Sequence, residues 1–256
     1  MKLERVVVAC NDNPKYLDFW RVVKRAWQEI AGVVCQMVYV GEDLPDDLQK
    51  DPCVIHFKPI EGWPTATQAQ VIRLLYPALI KCEGAVMVSD MDMIPLQKGF
   101  FVDGFSHFSE NQFVSLRGID ENEKQIYMCY VGATPKTWRS MFQIESEDDI
   151  RARMRLWSQE YPADGSHGGQ GWCTDQLILY KKVKEWQVEA PERVGLLPWT
   201  REIPRLDRGN PMEWIQWNTI LELKLLDKFY VDFHMQPYDP LKPVIDFVLQ
   251  FVIEKL

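Results

Sequence analysis

The sequence predicts an α/β protein with a mixed, mainly parallel sheet flanked by helices. Three observations carry this prediction. Short β-branched runs alternate with longer stretches of helical period, the first elements read strand, helix, strand, and the run GAVMV at 84–88 reads as a strand buried on both faces. At 256 residues, 46% of them hydrophobic, the chain is long enough for a full core, and no linker, repeat or low-complexity tract divides it.

Residues 5–10 form the first strand, which stops at the turn formers Asn11, Asp12, Asn13 and Pro14. A helix over 14–30 follows from the spacing of Tyr16, Phe19, Trp20, Val23, Trp27 and Ile30. Strands are expected at 33–40 and 53–58. A βαβ start of this kind places ligands beyond the carboxyl ends of the strands, where Asn11 and Asp12 stand. Residues 65–81 read as a helix interrupted by Pro77, with Arg73 projecting from it, and the buried strand after it runs into Asp90 and Asp92.

A further strand at 125–131 ends at Gly132, and Thr134-Pro135 opens a helix with Thr as cap and Pro in the first turn. Ser146 and Asp149 form a capping arrangement for a helix bearing Arg151, Arg153 and Arg155. The glycine-rich stretch 161–171 reads as a mobile loop, a helix begins over 172–180, and Asn210-Pro211 starts another that reaches about Asp227.

The net charge of −8 and a pI near 5.1 argue against a nucleic-acid binder, which needs clustered Lys and Arg, but suit an anionic ligand held through a metal. The six cysteines contain no CxxC pair, so they read as buried thiols. The apolar run after MKLER is too short for a secretory signal, giving a cytoplasmic protein as the expectation. The apolar tail 244–256 falls short of the roughly 20 residues that span a bilayer. It reads as a helix docked on the domain, or through its narrow polar face as a peripheral membrane contact.

In an extended segment, side chains two residues apart share a face, so Asp90 and Asp92 converge just past a strand end. Two such carboxylates suit Mg²⁺ or Mn²⁺, and that cation can bridge the phosphates of a nucleoside diphosphate and offset the charge of its departure. The alternative is two solvated turn residues before Pro95.

The surrounding order of residues adds to this. Arg73 and Pro77, VMVSDMDMIPL at 86–96, YVGAT at 130–134, WCTDQLIL at 172–179 and FHMQPYDPLKP at 233–243 together resemble the GT-A (Rossmann-like) glycosyltransferases, most closely the glycogenin and galactinol synthase type. The resemblance implies one GT-A domain over 1–256, with a nucleotide-binding half at 1–95 and an acceptor-side half at 96–256 that carries the C-terminal helix. It implies a nucleotide-sugar donor, commonly a UDP-sugar, a hexosyl or pentosyl transfer, and a carbohydrate or glycoconjugate acceptor.

By the same resemblance, Asp92 binds the metal, Asp90 contacts the metal or the ribose, and His234 is the third metal ligand or a core histidine. Asn11 and Asp12 lie near base and ribose, Gly132 near the donor sugar, and Arg73 near the donor or in a surface ion pair. Asp175 faces the sugars, either taking the acceptor proton or holding the donor, unless it only caps its helix. Arg205 or Arg208 holds diphosphate or belongs to an ion-pair network. His167 closes over the donor or is merely exposed. Three other readings compete: a nucleotidyltransferase, which would need a glycine-rich basic loop where CNDNPKY stands at 10–16; a haloacid dehalogenase-type phosphatase, whose usual threonine is missing after Asp92; and a catalytically silent carbohydrate-binding domain, which the ten tryptophans would also suit.

Overall fold

The computed structural model describes residues 1–197, 203–207, 224–234 and 236–255. Its main sheet has seven strands in the order β3-β2-β1-β4-β7-β6-β8. These are β1 (Leu3–Cys10), β2 (Val34–Val40), β3 (Val54–Phe57), β4 (Ala85–Val88), β6 (Phe113–Ser115), β7 (Val131–Ala133) and β8 (Val194–Leu196). All run parallel except β7, which is antiparallel to both β4 and β6.

Period-two alternation explains why the central strands are apolar throughout. Val6, Val8 and Cys10 of β1 join one core with Cys35, Met37, Ala85 and Met87, while Val7 joins the other with Val38, Val86 and Val88. Both faces are covered, as parallel sheets require. The first face packs α2 (Trp20–Ala26), the short α4 (Gly104–Ser106) and the C-terminal α8 (Tyr238–Lys255), which buries Val244, Ile245, Val248, Leu249 and Val252. The second packs α3 (Thr65–Leu75), α5 (Pro135–Phe142), α6 (Glu147–Glu160) and α7 (Thr174–Glu189). Among the described residues, no helix is long and apolar enough to cross a membrane.

Several expected boundaries are corrected. The single helix over 14–30 is α1 (Pro14–Leu17), α2 and a π turn at Trp27–Ala31, because the Phe19 N–H bonds Tyr16 O three residues back. Gly32 ends it at φ 70°, a left-handed value glycine adopts at little cost. α3 stops at Leu75 and tightens into a 3-10 turn at Tyr76–Leu79, since Pro77 lacks an N–H. The strand read at 125–131 is instead a 3-10 turn at Met128–Tyr130 leading into β7. Gly132 is therefore mid-strand, paired with Met87, where an added Cβ would stand 2.7 Å from the Phe105 ring and 3.0 Å from Met87 Cα. Thr134 caps α5, and Ser146 with Asp149 forms the capping box of α6. The helix expected from Asn210-Pro211 lies largely outside the described residues.

A second sheet, β5-β10-β9, lies beyond the motif: β5 (Met93–Pro95), β9 (Arg205–Asp207) and β10 (Asp232–His234). β10 is antiparallel to β5 and parallel to β9. Pairing of His234 with Met93 carries a residue from late in the chain to the side of Asp92.

Candidate active site

The chain reverses its strand order at β1, with β2 on one side and β4 on the other. Such a switch point opens a crevice beyond the carboxyl ends of the two strands. A cleft of about 360 Å³ occupies it, with Cys10 and Asn11 from the end of β1, Asp90 and Asp92 from the end of β4, Arg73 from α3 and Asp175 from α7. Asp90 to Asp92 form a turn rather than an extended segment, closed by the Met93 N–H on Asp90 O at 3.3 Å. Both carboxylates nevertheless meet His234: Nε2 is 2.9 Å from Asp92 Oδ1 and 3.9 Å from Asp90 Oδ2.

Two arginines organise these acids. Arg73 Nη1 is 2.5 Å from Asp90 Oδ1, and its Nη2 and Nε donate to Asp175 Oδ2 at 2.6 and 3.2 Å. Arg205 Nε donates to Asp232 Oδ1 at 2.9 Å, and its Nη2 lies 2.6 Å from His234 Nδ1. The other oxygen of Asp232 accepts the Tyr130 hydroxyl.

These partners set the charges. Burial pushes the Asp90 carboxyl upward, but the Arg73 guanidinium and then His234 pull it harder, down to about 2. For Asp175, with a side chain 1% exposed, burial wins over the same arginine and raises the carboxyl. At His234, burial opposes the charged ring and Asp92 favours it, with a net upward shift. Burial also raises the Cys10 and Cys129 thiols that line the cleft, which makes them poor nucleophiles.

The expected site residues divide accordingly. Asn11, Arg73, Asp90, Asp92, Asp175 and His234 line one cleft; Asp12 and Gly132 do not. Asn11 also ties the end of β1 to the start of α3, donating to Thr65 Oγ1 at 3.1 Å. Asp12 is exposed beside it. Asp175 does begin α7, but among the described residues its Oδ1 accepts the neighbouring Gln176 N–H, and its main partner is Arg73. His167 reaches over the cleft, with Nδ1 2.8 Å from the Tyr16 hydroxyl and its ring centroid 4.2 Å from that of Trp172. Arg208 lies outside the described residues. Sequence reasoning passed over Gln176, whose Oε1 is buried at the cleft with no hydrogen-bond partner among the described residues. Its place next to Asp175 was the one available signal.

In donor chemistry, Asp90 and Asp92 fit a hard divalent cation. Among the described residues, however, no three His, Cys, Asp or Glu side chains stand in ligand geometry around one point. Asp90 is engaged by Arg73, and the outer nitrogen of His234 faces a guanidinium, where metal-bound imidazoles usually meet a carboxylate or carbonyl.

Solved structures of the same architecture are known. The glycosyltransferase GlyE of Streptococcus pneumoniae TIGR4 superposes over 99% of this chain and 63% of its own, at a TM-score of 0.52 and 13% identity. The galactosyltransferase LgtC, solved with donor and acceptor sugar analogs, covers 98% of this chain and 96% of its own at 0.50 and 13%. An active-site mutant of LgtC covers 96% and 94% at 0.52 and 12%. The fold is GT-A. The chain spans less than two thirds of GlyE but nearly all of LgtC. No family model matches the sequence, and no curated protein matches it with significance. At these identities the GT-A likeness concerns architecture alone.

Proposed function

We propose that the protein is a cation-dependent glycosyltransferase, moving a hexosyl group from a nucleoside-diphosphate sugar to a hydroxyl of a carbohydrate or glycoconjugate. One observation carries this reading: the two motif carboxylates stand at the switch point of a GT-A sheet, in a cleft where Arg73 is buried between Asp90 and Asp175. A haloacid dehalogenase-type motif would follow the first strand of its domain, whereas this one follows β4.

Asp90 and Asp92 would hold Mn²⁺ or Mg²⁺, and a cation so bound supplies charge neutralisation to the departing diphosphate. The rest falls to the chain's own side chains. Arg73, with a side chain only 12% exposed, presents a fixed positive charge next to the motif, where water screens it little. Asp175 has both oxygens engaged, so its first task is to aim Arg73, and that leaves its use as a proton acceptor secondary. The orphaned Gln176 carbonyl calls for a hydroxyl donor, which a sugar ring provides. Asn11, Lys15 and Tyr16 line the cleft near the end of β1, where a nucleoside would lie.

UDP-sugars come first in any screen, because the glycogenin and galactinol synthase type that the motifs resemble commonly uses them. Calorimetry with a panel of UDP- and GDP-sugars and Mn²⁺ tests the reading. Asp92→Ala is expected to abolish cation-dependent donor binding while the melting transition remains cooperative. Wild-type affinity in that variant would sink the assignment of the motif.

A further inference from the structure

The two ring nitrogens of His234 face opposite kinds of partner. Nε2 lies 2.9 Å from the Asp92 carboxylate, and Nδ1 lies 2.6 Å from Arg205 Nη2. A guanidinium has only donors and keeps its proton throughout the accessible pH range. Nδ1 must therefore present its lone pair to Arg205, and the single ring proton sits on Nε2, donated to Asp92. Asp92 draws a second proton to the ring, but Arg205 opposes it, because a doubly protonated ring would aim its Nδ1–H at a guanidinium N–H 2.6 Å away.

Arg205 is itself tightly placed. Parallel pairing of β9 with β10 sets it opposite Asp232, which is fully buried and also accepts the Tyr130 hydroxyl. Neither Asp232 nor Tyr130 lines the cleft, so this pair holds Arg205 rather than a ligand. The arrangement is the reverse of what suits a metal-bound imidazole, whose second nitrogen ordinarily donates to an acceptor.

We infer that Arg205 is a positioning residue that keeps His234 as a hydrogen-bond donor to Asp92. Nε2 can offer a lone pair to a cation only after Arg205 has left Nδ1. The inference rests on the glycosyltransferase reading for what draws Arg205 away: it lines the cleft, where a diphosphate would offset its charge. Without nucleotide, the cleft thus works against its own cation, and the two ligands favour each other.

The first test needs no sugar chemistry. Nitrogen NMR of ¹⁵N-histidine-labelled wild-type protein, free of cation and nucleotide and assigned with His234→Gln, should show Nε2 protonated and Nδ1 bare. A proton on Nδ1, alone or together with Nε2, overturns the inference. The second test measures Mn²⁺ affinity by electron paramagnetic resonance without nucleotide. Folded Arg205→Gln should bind on the order of tenfold more tightly than wild type, and Arg205→Lys, which keeps a donor-only cation, should remain near it. Equal or weaker binding by Arg205→Gln overturns the inference, and if that variant does not fold, the wild-type spectrum decides. Failure of both proteins to bind Mn²⁺ with any nucleotide sugar would instead sink the glycosyltransferase reading, leaving the tautomer result to stand or fall separately.

Discussion

Asp90 and Asp92 are two residues apart, yet arginines reach them by different routes. Asp90 meets Arg73 directly, across a gap between a helix and a strand end. Among the described residues, Arg205 reaches Asp92 through the His234 ring. The anchors differ in the same way: Asp175, the second partner of Arg73, lines the cleft, while Asp232, the partner of Arg205, lies behind it. One network can exchange its partners for a ligand, whereas the other is fixed at its far end and can change only where it touches His234. The difference matters because a buried acid left without its cation is expensive, and if the cleft takes the nucleoside diphosphate proposed above, at least one arginine must be free to trade partners.

The largest way to break this comparison is Arg73→Met. It strands Asp175, whose side chain is 1% exposed, and should cost about 3–5 kcal/mol of stability in urea unfolding. Adding Asp175→Asn should recover much of that loss, since the orphaned charge is then gone. Strict additivity of the two changes would show that they do not act as a pair.

Acid titration offers a smaller and more specific test, because the two carboxyls around Arg73 shift in opposite directions. Asp90 is depressed from 3.8 to about 2 by Arg73 and His234 against burial, so its contribution is present above the unfolded value and is lost as pH falls through the folded one. Asp175 is raised by burial, so its contribution is full below the unfolded value and fades as pH rises through the folded one. Between about pH 4 and pH 2, the wild type should therefore lose roughly 2 kcal/mol relative to Asp90→Asn. Asp175→Asn should show the opposite trend. Parallel pH profiles for the two variants would mean that Arg73 does not divide its charge between them.

How far this could be read from the sequence depends on distance along the chain. The strands β1, β2 and β4, the cap at Thr134 and the capping box at Ser146 announce themselves through local pattern, because their physics is local. Arg73, Asp90 and Asp175 were legible as candidates, but not as one ion-pair triad, since the residues that meet are 17 and 102 positions apart. Gly132 was misplaced for a related reason: its pairing with Met87, close under Phe105, depends on a neighbouring strand, and a lone glycine looks the same at a ligand as at a tight backbone approach. Arg205 was legible as a member of an ion-pair network and His234 as a candidate, but not their series with Asp232 and Tyr130. That series exists because β9 and β10 pair in one register.

The smallest effect provides the control for both networks. Ser146 begins α6, where its hydroxyl accepts the Asp149 N–H at 3.2 Å and the Asp149 carboxylate accepts the Ser146 N–H at 2.8 Å. Neither residue lines the cleft. Ser146→Ala should cost about 1 kcal/mol, the usual loss for a helix cap, read as a lowered urea midpoint with an unchanged slope. Nucleotide-sugar and Mn²⁺ affinities should stay at wild-type values, because the destabilised helix end has no residue in common with either arginine network. A change in cation affinity in this variant would mean that global stability sets the measured binding. In that case, the losses and gains expected at Arg73, Asp92 and Arg205 could no longer be read as properties of the cleft.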